Sequence, residues 1–460
     1  LGAAKNQIAE TGLPVIDVPA GLVHFPDPRA RPPGLHLLIR AHDPTLLRAG
    51  GAVLNGDAGL MSASGQGTIT ATDTLLSDGV IQTGSALTVS ANNGITIGAK
   101  GQIIALSGPL LLDTTNGDLS NSGQIGTSDS GDVQLTATDA TNAGVIQAAG
   151  DLTANLSGNL SNSGQIMAVG GDLSVKASDV ATSGTLSSAA GAVTALIIDT
   201  LQNSGTIYGT TVTTLQTGGL LSNVNGQIGA GAGVITLSAA SLDNGTGKII
   251  ASGNSISVIS HEINNNSGII QGKDDVSLQT SSVDNRDGGS IFALSGYLSL
   301  KDPADDTLTV INQGGQIEAG QSLTLLASTY AGDAKSEIFG QKNLSLTISE
   351  NLDNNGKIVG GDKLSIITGK LENNTQGVIA ATAGSASVMV TGAAGLTNSG
   401  IIETLSASGA LTLNTPVLSN AGTILSDSSL QIVVENTLTN SGKLGNLVGD
   451  LTINSAILGN

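Results

Sequence analysis

Leu160-Ser-Asn162-Ser-Gly164-Gln-Ile166, continued by Met167-Ala168-Val-Gly-Gly171-Asp-Leu173-Ser-Val175-Lys-Ala177, carries the architecture of this chain. Its pattern is an aliphatic residue, Asn two places on, Gly two further and Ile two beyond that. The pattern returns about every 20 or 21 residues to the C-terminus. A repeat of that period marks a solenoid, in which each unit contacts only its neighbours.

The clearest copies centre on Asn121, Asn162, Asn203, Asn354, Asn398, Asn420 and Asn440, each with an aliphatic residue two places before and Gly two places after. Weaker copies surround Asn142, Asn223, Asn244, Asn265, Asn285, Asn312 and Asn373, while Ser77, Ala99 and Thr182 take the Asn place in other turns. A second alternating run follows each copy, as in Leu87-x-Val89-x-Ala91, Val133-x-Leu135-x-Ala137 and Leu323-x-Leu325-x-Ala327. Alternation over so few residues means half-buried strands. Helices are excluded, because the units are short and rich in Gly, Asn, Ser and Thr.

Two or three short strands every ~20 residues, with both alternating sets buried, describe an all-β fold: a right-handed parallel β-helix of roughly twenty coils. Leu160 and Ile166 are expected to point inward and to stack in aliphatic columns. Asn162 is expected at a corner, tolerating left-handed geometry and bonding the Asn of the next coil. Gly164 is expected to supply positive φ there. These recurring positions form a structural ladder, since a catalytic residue has no reason to recur in every coil.

Composition agrees with a thin interior. The 460 residues include 64 Gly, three Tyr, three Phe, no Trp and no Cys, so the core is aliphatic and no disulfide is available. The formal charge of -19 comes from 36 acidic against 17 basic residues. No basic face with interleaved aromatics is visible, which argues against a nucleic-acid partner. No apolar run reaches ~18 residues, so no transmembrane helix is expected. The chain opens on Leu1 without a signal peptide, and the expectation is an excised fragment of a longer protein.

Residues 1–50 differ from the remainder, holding seven of the ten Pro and three of the four His. Phe25-Pro-Asp-Pro28 and Arg31-Pro-Pro33 read as extended loop, because Pro cannot donate within a sheet. The segment is expected to be a cap or linker, with residues 51–460 forming the β-helix. His24, His36 and His42 beside Asp27 and Asp43 lack any recognised metal-ligand spacing and are read as solvated, so no metal and no cofactor is assigned.

The period breaks in three places, where binding surface is expected. The interval from Asn285 to Asn312 is longer than one period and carries Lys301-Asp302-Pro303-Ala-Asp305-Asp306, the candidate binding loop. The spacing of Asp302, Asp305 and Asp306 matches neither an EF-hand nor a calcium-binding β-roll. The interval from Asn373 to Asn398 is also long, with Thr382–Ser387 as the expected excursion, and the coil at Tyr330–Phe339 lacks its Asn. Phe292, Tyr297, Tyr330 and Phe339 are candidates for a shared aromatic side, with local gap filling as the alternative.

The repeated L-x-N-x-G-x-I with its following L-x-L/V-x-A strand resembles the haemagglutinin-type repeats of filamentous haemagglutinin-like exoproteins over about residues 55–460. That resemblance implies a long bacterial surface fibre, secreted through a two-partner route. The fibre serves as an adhesin or as the stick of a contact-dependent toxin-delivery protein. It further implies an outer-membrane transporter for the parent protein and a receptor or glycan on a host or neighbouring cell. The family's Asn-Pro secretion signature is absent, and Val434-Glu435-Asn436-Thr437 departs from its pretoxin signature at the last place. Two other classes remain as alternatives. A polysaccharide-degrading β-helix enzyme needs acidic and basic residues converging in one groove, and charged residues make up only 12% of this chain. An ice-binding solenoid needs a Thr-x-Thr ladder, and Thr68-x-Thr70 and Thr136-x-Thr138 are sporadic. No catalytic residue is assigned.

Overall fold

The computed structural model describes residues 46–114, 116–303 and 307–459 in full, and the backbone alone at 6–8, 14–18, 21–25, 38–41 and 45. The described residues contain strands and turns and no helix. They form two compact units, Leu1–Leu220 with Gly226–Ile228, and Leu221–Asn225 with Gly229–Asn460. Both are parallel β-solenoids, about 20 turns in all.

In the first unit a coil is made of three strands, typified by Leu160–Asn162, Gln165–Ala168 and Leu173–Ala177. Each pairs in parallel with its counterpart in the next coil: Val180–Thr182, Thr185–Ser188 and Val193–Ile197. The alternation read from the sequence is the alternation of burial. Leu173, Val175 and Ala177 are at most 1% exposed, while Ser174 and Lys176 face water. Registered stacking then converts each buried position into a column, for example Ile125, Ile146, Ile166, Leu186 and Ile207. Each buried side chain of this size contributes about 1.5–3 kcal/mol. Two places further along the same strand the column is small, with Ala148, Ala168, Ser188 and Gly209, so the cross-section narrows there and has no room for aromatics.

The second unit keeps this plan with a longer isoleucine column, Ile249, Ile270, Ile291, Ile317, Ile338, Ile358, Ile379, Ile402 and Ile424. Here the third strand of one coil often runs without interruption into the first strand of the next, as in Ser322–Gly332, Asn343–Asn354 and Lys363–Asn373. The corner between them is therefore a bend, marked by register shifts near Ser328 and Ser349 to Glu350.

Coil pairing also runs back across residue 50. Leu38–Ala41 pairs in parallel with Leu60–Ala63, and Thr45–Ala49 with Gly67–Ala71. Pro14–Val18 and Gly21–Phe25 pair with Leu38–Ala41 and Thr45–Ala49 in turn, whereas Asn6–Ile8 lies antiparallel to Pro14–Val18. Asp27, Arg31, His36, His42 and Asp43 lie outside the described residues, as does the side chain of His24.

Two positional expectations are corrected by the structure. In the coil after Ser77 the Asn place is taken by Ile97, which pairs with Ser77 on one side and Asn121 on the other, and not by Ala99. A turn at Gly98–Lys100 adds residues that shift the apparent spacing. The glycine two places after Asn has a different purpose from the one expected. Gly164 does not have positive φ; a Cβ on it would lie 2.1 Å from the Gly144 carbonyl oxygen. Gly144, Gly184 and Gly205 meet the preceding coil in the same way, at 2.1, 2.0 and 2.1 Å. Glycine is required there because backbone packs directly on backbone.

Candidate functional site

The asparagines stand in a file that points into the solenoid. Asn121, Asn142 and Asn162 are each 1% exposed. The Asn121 amide donates to Asn142 Oδ1 at 2.8 Å, Asn142 donates to Asn162 Oδ1 at 2.8 Å, and Asn162 donates to Thr182 Oγ1 at 3.1 Å. The same amides donate to the backbone carbonyls of Val145, Gln165 and Thr185, at 3.2, 3.1 and 3.1 Å. Asn203 accepts from the Gly205 N–H at 3.2 Å. In the second unit the file runs from Asn223 through Asn244, Asn265 and Asn285 to Asn312. A further run joins Asn354, Asn373, Asn398, Asn420 and Asn440. A buried amide without partners costs several kcal/mol, and the file satisfies each one through its neighbour. These amides do not face solvent and offer nothing to a substrate.

Gly332 holds the Asn place between Asn312 and Asn354, and a tyrosine caps the run that ends at Asn312. Tyr330 occupies the aliphatic position between Val310 and Leu352, is 1% exposed, and accepts from Asn312 Nδ2 at 3.4 Å. A Cβ on Gly332 would lie 2.7 Å from the Tyr330 hydroxyl and 2.6 Å from Ser336 Oγ, so glycine makes room for the phenol. Burial pushes the Tyr330 phenol up to about 12, against hydrogen bonds with Asn312 and Ser336 that lower it.

Left-handed backbone does occur, though not at the asparagines of the file. Asn225, Thr246, Ser267 and Asp287 have φ of 59°, 59°, 57° and 55°, each two residues after a file asparagine in successive coils. Their N–H groups are tied across coils, Thr246 to Asn266 O at 3.0 Å and Ser267 to Arg286 O at 3.1 Å. The sequence conceals this column because Thr246 and Ser267, unlike Asn225 and Asp287, are not residues that announce positive φ.

The excursion at Asp302 leaves between Leu298–Lys301 and Thr309–Ile311, and Asp302 accepts a hydrogen bond from the Thr307 hydroxyl. Asp305 and Asp306 lie outside the described residues. The second excursion is not at Thr382–Ser387, since Ser385–Val390 is a regular strand paired with Lys363–Thr368. Its extra residues lie at Thr391–Gly395, where Gly395 has φ 70° and its N–H bonds Gly392 O at 3.0 Å. Both excursions leave the same corner, the one between the third and first strands. No group of three His, Asp or Glu among the described residues is placed to hold a metal ion.

The four aromatics do not share a side. Tyr330 is internal and Tyr297 is 59% exposed. Phe292 and Phe339 are half-buried and outward-facing, separated in register by Glu318 alone. The same outward file continues through Val359 and Ala380 to Glu403 and Leu425. Burial, with the Glu337 charge second, holds the Glu318 carboxyl above the ordinary carboxylate range, and burial with the Asp427 charge does the same to Glu403. Glu337 is shared with Lys357 Nζ at 3.8 Å.

A family model described as the haemagglutinin repeat matches residues 37–123, 105–164, 130–195, 230–309 and 293–329, more than half of the chain. No curated protein and no solved structure matches it.

Proposed function

The chain belongs to the haemagglutinin repeat family, and from that premise we propose that it is a structural segment of a filamentous adhesin-type exoprotein, secreted or held at the cell surface. The observation that carries this reading is the coil-to-coil continuity within each unit. The isoleucine column and most asparagines of the file find their partners in neighbouring coils, so adding coils adds length without new chemistry. The reading also assigns its partners, an outer-membrane two-partner transporter during export and a receptor or glycan on another cell's surface. In this reading the strands from Pro14 to Ala49 extend the coil stack and the antiparallel Asn6–Ile8 serves as its cap.

We read the chain as non-enzymatic, as is typical of the haemagglutinin repeat family.

Protease added to intact producing cells tests the proposal. Peptides from residues 46–459 should be released without lysis, or found in the medium. Recovery only after lysis overturns it.

A further inference from the structure

The outward face of the isoleucine strand in the second unit is unpartnered, and its chemistry is uneven. In the first unit the corresponding file, one place after the aliphatic column, is mixed and carries no carboxylate: Gln82, Ile104, Gly126, Gln147, Met167, Ser187 and Tyr208. In the second unit one file reads Phe292, Glu318, Phe339, Val359, Ala380 and Glu403, with Val378 and Ile401 beside its distal half. Ile401 is 37% exposed. The side chains are thus two phenyl rings about 9.6 Å apart with a carboxylate between them, then an apolar stretch, then a second carboxylate.

Neither carboxylate has a cationic partner among the described residues. The nearest Lys on this face, Lys357, is engaged by Glu337, and the charges that act on Glu318 and Glu403 are the like charges of Glu337 and Asp427. A partly desolvated, unpaired anion with a phenylalanine in register on either side is a receptor for an ammonium or guanidinium group, which gains the ion pair and, over a ring, the cation–π attraction. A neutral sugar would gain the ring contacts and leave the charge uncompensated.

We propose that this face of the second unit, from Phe292 to Glu403, docks a basic amphipathic polypeptide segment in extended form. One Arg or Lys sits over Glu318 between Phe292 and Phe339, apolar side chains lie on Val359, Val378 and Ile401 around the buried Ala380, and a second basic residue reaches Glu403. The carboxylates are about 19 Å apart, so at ~3.4 Å per residue the two basic side chains fall six positions apart with apolar residues between them on the same side. The inference concerns the exposed face of this chain itself and stands whether or not the protein serves as a surface fibre.

The probe is an immobilised peptide with Arg at its first and seventh positions, Val at the third and fifth and Ser elsewhere, over which the purified chain is passed at physiological salt. Saturable binding is expected. Glu318→Gln and, separately, Phe339→Ser should each weaken it at least tenfold, with the far-ultraviolet circular dichroism unchanged. Glu350→Gln removes the same charge from an exposed site elsewhere in the unit and should leave binding as it was. The proposal is overturned by absence of binding, by equal loss in the Glu350 and Glu318 variants, which signifies diffuse charge attraction only, or by Phe339-dependent binding of a neutral oligosaccharide such as cellohexaose in place of the peptide.

Discussion

Replacing Gly164 by Ala should open the solenoid between two coils. The added Cβ would stand 2.1 Å from the Gly144 carbonyl oxygen and 2.8 Å from the Ala143 carbonyl carbon, both backbone atoms that cannot rotate away. Reaching van der Waals distance requires the coils to part locally by roughly 1 Å or more. Gly144 O accepts the Gln165 N–H at 2.9 Å, and Gly164 O accepts the Thr185 N–H at 2.9 Å, so the parting stretches the hydrogen bonds that join the coils. Overpacking of this kind costs about 1–3 kcal/mol. A buried carbonyl that loses its donor costs a further ~1–3 kcal/mol. The expected loss is about 2–5 kcal/mol, partly relieved by bending of the strand ends. Because repeat proteins open locally, the assay is amide hydrogen exchange at Val145, Gln165 and Thr185 together with the urea midpoint. Gly56→Ala is the control, since its Cβ would meet nothing within 4 Å and its φ is ordinary; it should be neutral or stabilising by about 0.4–1 kcal/mol. Gly164→Asn separates the two explanations of the glycine. Asn tolerates left-handed backbone, so a need for positive φ would let Asn restore stability, whereas direct backbone contact makes Asn no better than Ala. Restoration by Asn, or unchanged exchange in the Ala variant, refutes the reasoning.

Ile166→Asp should cost several kcal/mol and fray adjacent coils, by placing an unpaired carboxylate in the isoleucine column; Asn162→Ala should cost about 1–3 kcal/mol, because Asn142 keeps its bonds to backbone carbonyls. Equal midpoints in urea for these two variants would remove the distinction between column and file. Tyr330 has a folded pKa of about 12 against 10.0 for a free phenol. Its contribution to stability is therefore complete below pH 10 and is lost as pH rises through about 12, and Tyr330→Phe should abolish that part of the pH dependence in thermal melts. Thr246→Gly should stabilise the second unit by about 1 kcal/mol in denaturant titrations, since a β-branched residue at φ 59° gives way to one with no steric penalty there.

The fold was legible because a repeat carries its own check. The spacing of Leu160, Asn162 and Ile166 states which side each residue faces, and its recurrence about every 20 residues leaves stacking as the way to bury both alternating sets. That asparagines recur at one level of successive coils could be read from the same spacing; that Asn142 donates to Asn162 is a finding of the structure. The reason for glycine could not, because positive φ and close backbone approach both demand the absence of a Cβ, and only the distance to Gly144 O distinguishes them. Tyr330 was visible as an aromatic in a coil without Asn, but its place as the partner of Asn312 depends on the empty volume over Gly332.

Period and alternation are local properties, so the order of the amino acids was enough to specify a parallel β-solenoid and its inward isoleucines, whereas the burial of the asparagines, expected at a left-handed corner, was decided by the tertiary structure. Register between coils of unequal length is not local. The long coils from Asn285 to Asn312 and from Asn373 to Asn398 preserve the stack because their extra residues are taken up at the corners, the largest share between the third and first strands. Where they are taken up decides which outward residues become neighbours. Phe292, Glu318 and Phe339 belong to three successive coils of unequal length, and they form one continuous surface because hydrogen bonding between the coils aligns Ile291, Ile317 and Ile338 beneath them.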